Sequence, residues 1–306
     1  MRNFKGLDEE AIKTLSDPPT TGLLFPNLRI LCCHYTRKTM PLLHLPLPSL
    51  VVLRVTFETL HTFQNDLKSF PKFSPDIRSI SICIYQLRPG GMMEPGKLEP
   101  NYVCRWRNLC SVHCPEVTLD VDTLAYLSRM PVLTELSFTL SAALPACNPP
   151  LSFSNLHDLT LHSKSLDPIL QLFSQTQLPA VTNLAAYIYD SFSKQELSSF
   201  LAGVSTFNAD LERLQLIQMP HPLGSIFPSE VPRLGSEYLH PCMTFSNLRW
   251  MELTVRCGVD LTDSQVLMLA SAWPKLEHLL INEDWGWSSR GGITPGTTFA
   301  DMSVAL

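Results

Sequence analysis

Residues 104–114 read CRWRNLCSVHC, three cysteines and a histidine within eleven residues. Thiolates and imidazoles are the ligands zinc prefers, so the first chemistry to test is a metal knuckle. Zinc ligands converge on one point and come in pairs spaced C-x2–4-C or H-x3–5-H. The two steps here are C-x5-C and C-x3-C. If Leu109–Cys114 is a strand, Cys114 and His113 point to opposite faces and cannot share an ion. The cluster therefore reads as structural, with Cys114 a small core residue, and the same reading covers Cys33 and Cys83.

Other chemistries fare no better. Glu283 and Asp284 stand beside Trp285-Gly-Trp287, a pairing that suggests sugar binding or acid–base work. They fall in the turn after a repeat strand and read as solvated loop acids. There is no G-x-S-x-G elbow, H-E-x-x-H helix, Walker loop or dinucleotide loop. An enzyme built in the long loops would have to use residues such as His221 and Glu230, which carry no convergent pattern. No catalytic residue, cofactor site or metal site is expected.

The elements that would position any such residue are clearer. Leucine makes up roughly one residue in six. One phrase, L-x-x-L-x-L with Pro or Ser just ahead of it, keeps returning. It appears as FPNLRILCC at 25–33, LPSLVVLRV at 47–55, MPVLTELSF at 130–138, FSNLHDLTL at 153–161 and FSNLRWMEL at 245–253. Counted by first apolar residue, the starts are 28, 50, 77, 109, 133, 156, 181, 211, 248 and 276. Their separations run from 22 to 37 residues, mostly in or near the leucine-rich-repeat period. The last two apolar residues of each phrase are two apart and share one strand face, while the residue between them faces away. One strand cannot bury that face alone, but stacked neighbours can.

The expected fold is therefore α/β: an irregular leucine-rich-repeat solenoid with a parallel sheet on one face and helices and loops on the other. It is expected to form a single domain over 1–306 with about ten repeats. Return helices are signalled by Ser193-Lys-Gln-Glu196 and Thr262-Asp-Ser-Gln265, both capping boxes ahead of helical apolar spacing. Asp167-Pro168 suggests an N-cap with Pro at the first helical position, and Asp122 a cap for Leu124–Met130. The Asn or Cys usual three residues after the last core leucine is missing, with Thr36, Val117, Lys164 and Tyr189 among its replacements. Pro- and Gly-rich inserts at 86–100 and 219–235 are expected as surface loops.

Function then falls to the face the sheet presents. Its outward residues Glu135, Asp158, Arg213, Trp250, Glu252 and His278 are the candidate protein-binding residues, and the later ones, Arg213, Trp250, Glu252 and His278, are of types that anchor protein interfaces. A formal charge of −5, with mixed signs on that face, disfavours nucleic acid as a partner. No run of 18 apolar residues exists to cross a bilayer, so no membrane partner is expected. The N-terminus lacks a signal peptide's apolar core, and nine cysteines follow no framework spacing. Both favour a cytoplasmic or nuclear protein.

The stretches FSNLRWMELTV, LTDSQVLMLASAWPKLEHLLI, NEDWGWSSRGGITPG and DTLAYLSRMPVLTELSFTL give the chain a resemblance over about 20–306 to the repeat region of fungal F-box-like leucine-rich-repeat proteins. In that family an F-box recruits a cullin-type ubiquitin ligase through an adaptor, and the repeats hold a protein substrate. The resemblance implies a non-enzymatic scaffold that recognises a ligase substrate. The alternative is a free-standing interaction protein. Cys104-Arg-Trp-Arg107 looks like the end of an F-box but lies between repeat strands, so no F-box is evident. A cullin adaptor is expected as partner only if one lies upstream, and the chain is expected to be a fragment at one or both ends.

Overall fold

The computed structural model describes residues 25–35, 46–57, 74, 76–84, 96–98, 103, 106–140, 149–206, 210–219, 233–255 and 257–281. Chain contacts gather into two compact units, Met1–Leu156 and His157–Leu306.

The first unit carries strands β1 (Ile30–Tyr35), β2 (Val52–Phe57), β3 (Ser79–Ile84), β4 (Gly96–Leu98) and β5 (Ser111–Leu119). Helix α1 (Val121–Ser128), β6 (Glu135–Leu140) and the short β7 (Leu151–Ser152) follow. Strands β1, β2, β3, β5 and β6 pair in that order, all parallel. The second unit carries β8 (Asp158–Ser163), α2 (Asp167–Gln175), β9 (Thr176–Gln177), β10 (Asn183–Ile188), α3 (Lys194–Ser205) and β11 (Arg213–Gln218). It continues through β12 (Arg233–Leu234), α4 (Ser236–Leu239) with a 3-10 turn (His240–Thr244), β13 (Trp250–Thr254), β14 (Gly258–Val259), α5 (Asp263–Ala272) and β15 (His278–Ile281). Here β8, β10, β11, β13 and β15 pair in order, again all parallel.

Both units are built from the leucine-rich phrase, and each main strand starts two residues after its first apolar residue. A turn explains the offset. The N–H groups of Leu28, Leu50, Leu133, Leu248 and Leu276 each donate to the carbonyl three residues back, which places that residue at a turn's end. The next residue's carbonyl then accepts two N–H groups of the following repeat. Arg29 takes Val51 and Val52, Thr182 takes Glu212 and Arg213, and Arg249 takes Glu277 and His278. This double acceptance fixes register from one repeat to the next. A slip of one residue would exchange Leu214 and Leu216 for Arg213 and Gln215 in the core. Losing one fully buried leucine side chain costs about 2–5 kcal/mol, so the register is strongly defended.

Inward positions are closed as the spacing requires. Leu109, Val112 and Cys114 are fully buried, and so are Leu214, Leu216, Met251 and Leu253. The helices seal the same side: Phe173 of α2 meets Phe200 of α3 with ring centroids 5.9 Å apart. Trp106 and Trp273, each three residues before the first core leucine of its repeat, are also buried. Their indole N–H groups donate to the Ser74 carbonyl at 3.1 Å and the Cys242 carbonyl at 2.9 Å.

Several expectations need correction. The α1 cap is Asp120, not Asp122; its carboxylate accepts from the Thr123 backbone at 2.9 Å and the Thr123 hydroxyl at 2.7 Å. Asp167 is the first helical residue of α2, so Leu166 holds the cap position with no side-chain bond, and Pro168 follows second. Cys83 is not a core residue, because Ile82 and Ile84 take the inward parity and leave it on the outward face. The inserts are not wholly loop. Gly96–Leu98 pairs with Val117–Leu119 and Arg233–Leu234 pairs with Gly258–Val259, both parallel. Val117, where a turn was expected, is therefore a buried strand residue, and β5 shifts register against β6 between Cys114 and Thr118.

Candidate functional site

In a parallel, in-register sheet, residues at equal repeat positions line up in rows across neighbouring strands, about 4.8 Å apart. In the second unit one outward row runs Asp158, Asn183, Arg213, Trp250, His278. The next runs Thr160, Ala185, Gln215, Glu252, Leu280. Five of the six residues singled out in the sequence thus share one face. The sixth, Glu135, belongs to the first unit, where it accepts a 2.7 Å hydrogen bond from Ser111 Oγ on the neighbouring strand.

The first row is tied in two groups. Asn183 Nδ2 donates to Asp158 Oδ1 at 2.5 Å. The Arg213 guanidinium carbon sits 4.5 Å from the Trp250 ring centroid. Trp250 in turn stacks on His278, with centroids 3.6 Å apart and planes within 17°. Trp250 Nε1 is buried without a hydrogen-bond partner among the described residues. In the second row Gln215 Nε2 donates to Glu252 Oε2 at 2.6 Å. A third row adds His162 stacked on Tyr187 at 4.7 Å, with planes within 9°. Burial raises the Tyr187 phenol above its usual range, Glu252 adds to the rise, and Arg213 opposes it. Tyr187, Glu252 and Arg213 therefore feel one another across the face.

Behind these rows, at the turn, are two more columns that sequence reasoning missed. Asn247 donates to Asp210 Oδ1 at 2.9 Å and accepts from Lys275 Nζ at 2.6 Å. Arg249 lies between Glu277 at 3.2 Å and Glu212 at 3.9 Å. The usual asparagine ladder after the strand is replaced here by ladders just before it. The signal was available: set repeat under repeat, these positions alternate complementary types.

The first unit's face is chemically quieter. His113 faces outward, and burial, followed by the Arg54 charge, pushes its imidazole below the usual value while Glu135 pulls the other way. Among the described residues no three His, Cys, Asp or Glu side chains gather to hold a metal ion. Cys110 lies near the Asn108 carbonyl at 3.5 Å, Cys114 is buried, and Cys104 lies outside the described residues. So do Glu283, Asp284, His221 and Glu230. Among the described residues no helix is long and apolar enough to cross a membrane.

No family model matches the chain, and no curated protein does. Among solved structures, an internalin (inlF) from Listeria monocytogenes str. 4b F2365 is similar at 16% identity and a TM-score of 0.36, over 90% of this chain and 69% of that one.

Proposed function

We propose that the chain is a non-enzymatic protein-binding scaffold whose recognition surface is the sheet face of residues 157–306. The observation that carries this reading is the Arg213–Trp250–His278 stack, a preassembled group of the residue types that dominate interface energetics. Stacking fixes these side chains before any partner arrives, which reduces the entropy lost on binding. Asp158 and Glu252, each held by an amide, give the rim a set polarity. Glu135 plays the corresponding part on the first unit.

In its more specific form, the scaffold is the substrate-recognition part of an F-box-like ubiquitin ligase subunit, working in the cytoplasm or nucleus. The test is affinity purification of the full chain beside a Trp250→Ser/His278→Ser variant of matched thermal stability. The wild type should retain a protein partner that the variant loses by about tenfold or more. Equal recovery removes the sheet face from consideration. A chain carrying an F-box upstream should also recover a cullin adaptor, and a chain without one should not. No adaptor in the first case leaves a free-standing interaction protein.

A further inference from the structure

Arg213 is the one outward cation in the two central rows of the second unit's face, and its surroundings are unusual for a charged group. Its guanidinium lies over an indole whose other partner ring is His278, so its plane and position are set. Two acids stand in the same rows, yet neither is paired with it: Asp158 is taken by Asn183 and Glu252 by Gln215. Glu212, its chain neighbour, goes to Arg249 instead. Among the described residues the Arg213 guanidinium has no ion pair and no hydrogen-bond acceptor, while the residue is exposed. A planar fork of five N–H donors is thus held in place facing solvent, with no protein acceptor among the described residues.

We propose that Arg213 anchors a carboxylate presented by a protein partner, an Asp or Glu side chain laid across strands β10, β11 and β13. This rests on the reading of that face as the recognition surface. Guanidinium and carboxylate match in a two-bond fork, and such charge-assisted bonds are roughly twice as strong as neutral ones. The face also selects against a more highly charged anion. Asp158 and Glu252 contribute two negative charges beside one fixed positive one, so a phosphate dianion meets repulsion that a singly charged carboxylate largely avoids.

The experiment uses the full chain and displayed libraries of random dodecapeptides. Selection on the wild type should enrich peptides with a shared Asp or Glu. Changing that residue to Asn or Gln should weaken binding by about tenfold or more. Arg213→Met keeps an unbranched stem on the indole but removes the donors, so acidic and amide peptides should bind it equally. Arg213→Lys should recover part of the difference. Phosphoserine in place of the acid should bind more weakly than Glu; tighter binding overturns the carboxylate assignment. Peptides that depend on Trp250 but ignore both Arg213→Met and the acid-to-amide change overturn this inference and leave the recognition face standing. Peptides indifferent to every face substitution, or a library that yields none, overturn both.

Discussion

Glu116 shows what a single residue costs this fold. It follows the inward Cys114 on β5, and its Oε2 is buried with no hydrogen-bond partner among the described residues. Burial raises its carboxyl above the ordinary value of 4.5, and the backbone N–H groups of Ile84 and of Glu116 itself offset part of that rise. The folded chain therefore holds this proton more tightly than the unfolded chain does. Stability contributed by the protonated form is complete below about pH 4.5 and declines as pH rises through the raised folded value. Glu116→Gln should remove that decline and raise the urea midpoint at neutral pH, with little change in acid. Paired denaturation curves of variant and wild type at the two pH values check it, and a lower neutral midpoint for the variant would contradict it. Nothing in the sequence marks Glu116, because its surroundings come from a strand that extends beyond the repeat phrase. Cys83 differs from expectation for a related reason: it stands on the outward parity of β3, where burial first and the Glu116 charge second push its thiol up.

At the scale of elements, strands were more legible than helix starts. Alternation alone put Leu214, Leu216, Met251 and Leu253 inside and Arg213, Gln215, Trp250 and Glu252 outside, because one face of a strand must be apolar if the stack is to close. Caps rest on a single side chain, and neighbouring candidates compete. Asp120 precedes α1 and Asp122 lies in its first turn, and only the bond to Thr123 decides between them. The full capping boxes carry a second, reciprocal residue and were readable. Ser193 Oγ accepts from the Glu196 backbone at 3.2 Å, and Glu196 Oε2 accepts from the Ser193 backbone at 2.6 Å. Ser193→Ala should therefore cost about 1 kcal/mol through the start of α3, and Ser193→Asn much less. Urea midpoints of the two variants measure the difference, and identical values would mean that α3 does not depend on this cap. The middle of α5 is a counterpoint, since Leu267 is 68% exposed and contributes little to the core.

At the scale of the molecule, the repeat phrase revealed the array of parallel strands but not the columns that run across it. Those columns join residues about one repeat apart, such as Asp210, Asn247 and Lys275, and become visible when the repeats are stacked in register. Division into two compact units was equally hidden, because the phrase continues through Leu156 without a break in style. Among the described residues each unit nevertheless contains one completely enclosed thiol, Cys114 in the first and Cys242 in the second. Burial pushes both upward, Cys242 to about 12, whereas Cys32 lies exposed. Because the thiolate is the reactive species, an alkylating agent should modify Cys32 promptly and reach the other two only when their surroundings open. Site-resolved mass spectrometry over a time course should find both delayed by orders of magnitude, and prompt modification of either would show its enclosure to be wrong. Two stopwatches are thus built into one chain, one per unit. Whether they run out together or in sequence would tell how far the halves share a single unfolding event.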